Sequence, residues 1–223
     1  MGIIIAIDGP AGSGKSTTAR MVAEQLGYIY IDTGAMYRAI TLAAIRANIP
    51  IDEENLSTLV TQNTVTLEQS SRGQRTLLNS QDVSSEIRMP EVTNTVSRVS
   101  ASASVRKAMV STQRKIGEKG GVVMDGRDIG TVVFPQADLK VFMTASIDER
   151  AKRRASELQR KGIDTSPEII AVEIEERDRY DSNREISPLR QATDARLLDT
   201  SSLLPEEQAE IITRWAKEIF PKN

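Results

Sequence analysis

The sequence contains no cysteine and no histidine. The first absence excludes a disulfide framework and a thiolate metal site. The second removes the usual general base and the commonest metal ligand. Any catalysis must rest on carboxylates, lysine, arginine, hydroxyls and backbone amides. No apolar run reaches membrane-spanning length, so no membrane partner is expected. With 29 Lys and Arg against 31 Asp and Glu the net charge is −2, which argues against a protein that coats a nucleic acid polymer. The first residues, MGIIIAIDG, run straight into glycines with no basic segment or cleavage site, so no signal peptide and a cytoplasmic location are expected.

What is present suits one domain with a sizeable insert: 223 residues, 39% hydrophobic and 27% charged. Apolar runs of parallel-strand character occupy residues 3–8, 28–32, 121–125, 139–144 and, more weakly, 195–199. Helical spacing occupies 15–26, 35–47, about 92–116, 147–160, 167–179 and 205–219. This alternation predicts an α/β fold of three layers, a parallel sheet of about five strands with helices on both faces. Ligands in such sheets bind beyond the carboxyl ends of the strands. Asp8, Asp32 and Asp125 close three of these runs, with glycine one or two residues after each. Two further runs, TVTLEQ and QRTLLN, flank the turn signal SSRG and predict a small β-rich insert at about 62–90. QRKGIDTSP, 159–167, is either a mobile lid element or an ordinary helix–helix connection.

Gly9-Pro10-Ala11-Gly12-Ser13-Gly14-Lys15-Ser16 matches G-x-x-x-x-G-K-[ST] between a strand and a helix, which makes the match informative. Glycines let successive N–H groups curl round a phosphate, and the helix N-terminus adds partial positive charge. Lys15 would reach the β- and γ-phosphates, and the Ser16 hydroxyl would bind Mg²⁺. The bland alternative is a glycine-rich turn with a chance lysine. No N-K-x-D guanine signature and no L-S-G-G-Q segment is present, so the small size points to a kinase for a small molecule.

Other charges have two readings each. In DTGAMYR, Thr33 can cap the following helix and Arg38 could reach an anion, or the pair is only a cap and a surface arginine. Arg177, Asp181 and Arg184 fall on one helical face, as a phosphate or ribose clamp or as a solvated ion-pair stripe. Arg150, Arg153 and Arg154 are lid cations for the donor phosphates, or in part plain surface charge. In VVMDGRDIGTVVF, an apolar run ending in Asp125 suits a partner for water on Mg²⁺, with Arg127 and Asp128 just beyond.

GPAGSGKST, DTGAMYRA, VVMDGRDIGTVVFP and ERDRYDSNR, in this order and spacing, resemble the bacterial cytidylate kinase family, a P-loop nucleoside monophosphate kinase family, over nearly the whole chain. The resemblance implies phosphoryl transfer from ATP to CMP or dCMP with Mg²⁺, in pyrimidine metabolism. It implies one P-loop kinase domain over 1–223, a nucleoside monophosphate-binding insert at about 33–115 and a lid at about 150–167. Gly9 to Ser16 and Thr17 would hold the donor, with Arg154; Ser16 would be the metal ligand. Lys15, Arg127, Arg153 and Arg184 would be catalytic. Thr33, Tyr37, Arg38 and Asp125 would line the acceptor site. Ser97, Arg106 and Asp128 would meet the cytosine, Arg127 and Arg184 the acceptor phosphate, and Arg177 and Asp181 the ribose. The roles of Ser97 and Arg106 rest on the resemblance alone, because both read as ordinary polar helix positions. A monomer is expected. Remaining readings are a P-loop kinase for another small acceptor, and a nucleotide-dependent switch without phosphotransfer.

A phosphate is already nucleophilic at neutral pH, so a phosphate acceptor needs no histidine base. Catalysis then consists of aligning two polyanions and neutralising their repulsion. Lys15→Ala should abolish turnover, measured as ADP release, while circular dichroism stays unchanged; near-normal turnover would remove this loop from the mechanism.

Overall fold

The structure, a computed structural model, describes residues 2–70, 73–160 and 162–219. Five parallel strands, β1 (Ile4–Asp8), β2 (Ile29–Asp32), β6 (Val122–Gly126), β7 (Leu139–Thr144) and β8 (Arg196–Asp199), form one sheet in the order β2-β6-β1-β7-β8. A separate antiparallel sheet joins β3 (Val65–Ser70), β4 (Gly73–Leu78) and the short β5 (Gln81–Asp82). Ser71 and Arg72 of the expected SSRG turn lie outside the described residues.

The central strands are apolar on both faces because helices cover both. Val123 packs with Ile5, Ile7, Val141 and Met143 against α1 (Lys15–Leu26) and α8 (Pro205–Ile219) through Val22, Ala19 and Ile212. Val122 and Met124 face the other way, onto Ile31, Ile129 and Val133. This two-sided burial is the reason the strands read as continuous runs rather than alternating ones.

The insert has its own core. Its trunk is α2 (Thr33–Arg46), in which ten of fourteen residues are buried. Met36, Ile40 and Ala44 meet Leu56, Val65, Leu78, Ile87, Val96, Val99, Val105 and Met109 in one cluster. The helix α3 (Glu53–Gln62) was not expected from the sequence; it buries only Leu56 and Leu59, too few for a clear period. The single helix expected at 92–116 is two, α4 (Pro90–Ala101) and α5 (Ala103–Gly117). Ser102 takes extended backbone (φ −63°, ψ 133°) and its hydroxyl accepts from Val105 N, so the apolar period continues across a capped break. The remaining long helices are α6 (Ile147–Arg160) and α7 (Pro167–Asn183); α7 runs four residues past its expected end. Lys161 of the expected lid segment lies outside the described residues.

β2 is an edge strand, and its outward backbone groups are taken by side chains of the insert. Gln69 Nε2 donates to Tyr30 O at 3.0 Å, and Asp32 N donates to Gln74 Oε1 at 2.9 Å. Two glutamines thus finish the sheet and fix the hairpin against its carboxyl rim.

Gly9 leaves β1 at φ 148°, and a Cβ there would stand 2.0 Å from Met143 O on the neighbouring strand. Gly9→Ala should therefore lower stability by about 2 kcal/mol or more; urea unfolding that matches the wild type would show the loop has room to shift.

Candidate functional site

The expected donor-side residues meet at the end of β1. Between Gly9 and Lys15 the chain turns through Gly12 (φ 77°) and Gly14 (φ 89°), conformations that favour glycine. Lys15 is buried and its ammonium returns to Pro10 O at 2.5 Å and Ser13 Oγ at 3.2 Å. Burial first, then the charge of Arg127, push Lys15 well below the usual lysine range. The loop is braced from behind: Arg150 is paired with Asp178 and donates to Ala11 O, and Thr200 Oγ1 donates to Ser13 O. Arg150 is therefore part of the loop's support, not a free lid cation. Ser16 and Thr17 are exposed at the start of α1. Arg153 sits beside Gly14 and donates to Thr200 O at 2.6 Å, while Arg154 is paired with Glu157 at 2.7 Å.

Asp125, at the end of β6, accepts from Ser16 Oγ at 2.7 Å and from Tyr30 OH at 2.9 Å. Burial, then Asp32, raise its carboxyl above the usual range. Asp8 ends the adjacent strand and accepts from Ile129 N and Gly130 N; burial pushes it up to about 7. Gly126 follows Asp125 because no side chain fits: a Cβ would lie 2.7 Å from Ile129 Cδ1 and 2.9 Å from Thr33 Oγ1.

Thr33 does not cap α2. Asp32 does, accepting from Ala35 N at 2.9 Å, and the Thr33 hydroxyl instead donates to Asp125 O at 2.7 Å. The carboxylate sits one residue nearer the strand end and is the stronger acceptor for a helix N-terminus. Burial alone would raise Asp32, but Arg38 (2.8 Å) and Arg88 (3.3 Å) hold it below the usual range. Arg88 was not foreseen; it arrives from the short turn Glu86–Arg88, and no motif marks it.

The remaining acceptor-side residues converge across the cleft. Asp128 is buried and paired with buried Arg106, whose guanidinium lies 5.4 Å from the centre of the Tyr37 ring. Arg106 Nη1 also donates to Ser100 O, and Ser100 Oγ donates to the carbonyl of half-buried Ser97. Arg127 Nε meets Asp181 Oδ2 at 3.1 Å, and Arg184 Nη1 stands 3.9 Å from Asp181 Oδ1. The three residues 177, 181 and 184 do not share one helix, because α7 ends at Asn183 and Arg184 is its extended cap, turned to donate to Ser187 O. Arg177 is half-buried, and desolvation, then the charge of Arg127, lowers it to about 10. Gln113, also missed, is buried on α5.

Among the described residues no group of three or more His, Asp and Glu could hold a metal. Mg²⁺ rarely needs one, since it keeps waters and uses one or two protein oxygens with phosphate oxygens. The Ser16 hydroxyl backed by Asp125 fits that requirement.

A parallel sheet with this loop on its first strand, and facing arginines at the carboxyl rim, defines a P-loop phosphotransferase of the small-kinase type. The family is equally plain: the cytidylate kinase family model matches residues 5–218, and the chain belongs to that family. A cytidylate kinase of Enterococcus faecalis is 53% identical over 217 residues, 97% of this chain and 96% of that protein. One of Bacillus subtilis is 53% identical over 209 residues, covering 93% of each. A solved structure of an uncharacterized protein from Eubacterium ventriosum aligns over 98% of this chain and 99% of its own with a TM-score of 0.56 and 13% identity, which shows a shared fold. No helix among the described residues is long and apolar enough to cross a membrane.

The buried Arg106–Asp128 pair makes a thermodynamic prediction. Arg106→Met should cost about 3 kcal/mol by stranding a carboxylate, whereas adding Asp128→Asn should recover part of that loss. Urea unfolding of both variants checks this; an additive double mutant would show that the two charges are independent.

Proposed function

We propose that the chain transfers the γ-phosphoryl group of ATP to CMP or dCMP, giving ADP and the nucleoside diphosphate. The observation that carries the reading is the buried Asp128 carboxylate, clamped by Arg106 across the cleft from the P-loop. Cytosine presents an exocyclic amino donor that a carboxylate accepts, and uracil presents an oxygen that it repels. Family membership supports the same acceptor.

In this reading residues 9–17 cradle the donor phosphates and Lys15 turns from Pro10 O to the β- and γ-oxygens. A polyanion there would restore the charged form of Lys15, which burial disfavours. Mg²⁺, held by Ser16 with Asp125 behind it, would neutralise charge on the donor phosphates. Arg38, Arg127 and Arg184 take the acceptor phosphate, Arg177 and Asp181 the ribose, and Thr33 and Tyr37 the wall of the site. Ser97 and Arg106 stand with Asp128 at the base. Arg153 and Arg154 lie on the donor side. The insert, about 33–115, carries the acceptor, and a lid at about 150–167 closes over the donor and limits hydrolysis by water. The protein acts as a cytoplasmic monomer in pyrimidine nucleotide metabolism.

An acceptor screen with ATP, following ADP release, tests the reading. CMP-dependent release supports it; release driven by another acceptor, or none driven by any, overturns it. Asp128→Asn, assayed where it remains folded, should lower the CMP-over-UMP ratio of kcat/KM about tenfold or more, because its amide donates to the uracil oxygen. Unchanged discrimination would sink the role of Asp128.

A further inference from the structure

Asp8 is buried at the end of β1 and forms no ion pair with the described residues. Two lysines come near it, and both are turned elsewhere. The Lys15 ammonium goes to Pro10 O and Ser13 Oγ. Lys140 on β7 lies with its stem along Gly130 and sends its ammonium to Pro135 O and Asp194. The strand neighbours of Asp8 are Gly126 and Phe142, neither charged. Asp128, of like sign, is the other charge acting on it. A buried carboxylate without a cation is unfavourable, so stability alone does not explain this residue.

What the carboxylate holds is specific. Oδ1 accepts from Ile129 N at 2.8 Å and Oδ2 from Gly130 N at 2.7 Å, the two amides directly after Asp128. The carbonyl of Asp128 accepts from Val132 N at 2.9 Å and Val133 N at 3.2 Å. Asp128 itself (φ −146°, ψ 25°) belongs to neither helix nor strand, so no regular element fixes it. The turn also lies close against its support: a Cβ on Gly130 would stand 3.4 Å from Asp8 Oδ2 and 3.2 Å from Lys140 Cδ.

We propose that Asp8 is a positioning residue for acceptor recognition, its two oxygens pinning the amides after Asp128 and so aiming the Asp128 side chain at the base. This inference rests on the cytidylate reading of the site. Only the charged form can do this. A carboxylic acid or an amide keeps one accepting oxygen and sets a donor against the second N–H.

Recognition should therefore follow the charge on Asp8. Burial, opposed by the two amides, raises its carboxyl from the ordinary 3.8 to about 7; Asp128 adds to the rise and Lys15 opposes it. Stability runs the other way. The folded chain keeps this proton up to about pH 7 and the unfolded chain only to 3.8, so the contribution of Asp8 to stability is lost as pH rises through that window.

The test compares kcat/KM for CMP and UMP at about pH 5.5 and about pH 8.5 in the wild type and in Asp8→Asn. The ratio is read because both nucleotides carry the same phosphate, whose own titration near about pH 6 cancels. In the wild type the CMP-over-UMP ratio should rise about tenfold with pH, the loss or gain of one hydrogen bond. In Asp8→Asn it should stay low and nearly flat, with KM for ATP within about twofold of the wild type. Relative to the variant, the wild type should lose resistance to urea as pH rises. A flat wild-type ratio overturns the proposal, and this arm decides even if Asp8→Asn does not fold. So does a variant whose ratio climbs as the wild type's does, or an equal rise in KM for ATP and CMP, which would make Asp8 a general support of the rim. A wild type without CMP-dependent turnover would overturn the functional reading and this inference with it. Normal turnover with a flat ratio overturns this inference only.

Discussion

Arginines crowded at one rim repel one another, and the carboxylates that hold them apart organise this molecule. Asp32 takes Arg38 and Arg88, Asp128 takes Arg106, Asp181 takes Arg127, and Asp178 takes Arg150. A cation this deep could not stand alone, nor could the carboxylates, because an uncompensated buried charge costs several kcal/mol. Paired, they form a rim that stays folded and still presents guanidinium groups to a phosphate. Several of those groups keep unsatisfied nitrogens, on Arg38, Arg106, Arg177 and Arg184. Polar atoms left bare in a protein interior are exceptional, and their concentration here marks where a polyanionic substrate belongs.

The same pairs tie the insert to the sheet. Asp32 belongs to β2, yet one of its two arginines comes from the insert's short turn. Arg106 belongs to α5 of the insert side, and its carboxylate follows β6. Gln69 and Gln74 add backbone pairing along the free edge of β2. The acceptor side is therefore assembled between two cores, joined also where Leu67 packs against both and Val110 and Ile116 of α5 pack against the sheet, and its geometry depends on how they are held together. A chemistry that aligns two polyanions and neutralises their repulsion requires that arrangement more than it requires an acid or a base.

Much of this was legible residue by residue. The five parallel strands, the P-loop and its helix, the β-rich hairpin and the ends at Asp8, Asp32 and Asp125 follow from two-sided apolar runs broken by glycine. The charge-rich α7 was visible, although its end at Asn183 and the extended Arg184 were not. α3 was hidden because two buried leucines make no period, and the α4–α5 break was hidden because Ser102 interrupts the backbone without interrupting the apolar spacing. Thr33 looked like the cap because a hydroxyl at a helix start is a good one; the carboxylate before it is better and was available.

Local order along the chain determined the strands, the glycine loop that curls round a phosphate, and the family, since each depends on residue types within a few positions. Partners distant in sequence were decided by the tertiary structure alone. Nothing near Arg106 says that it faces Tyr37, and nothing near Arg88 says that it crosses to Asp32. Arg150 looked like a mobile cation until Asp178, 28 residues on, was found to hold it. Electrostatic pairing and desolvation act through space at a few ångströms, so which charges are free and which are held is settled only when the cores pack.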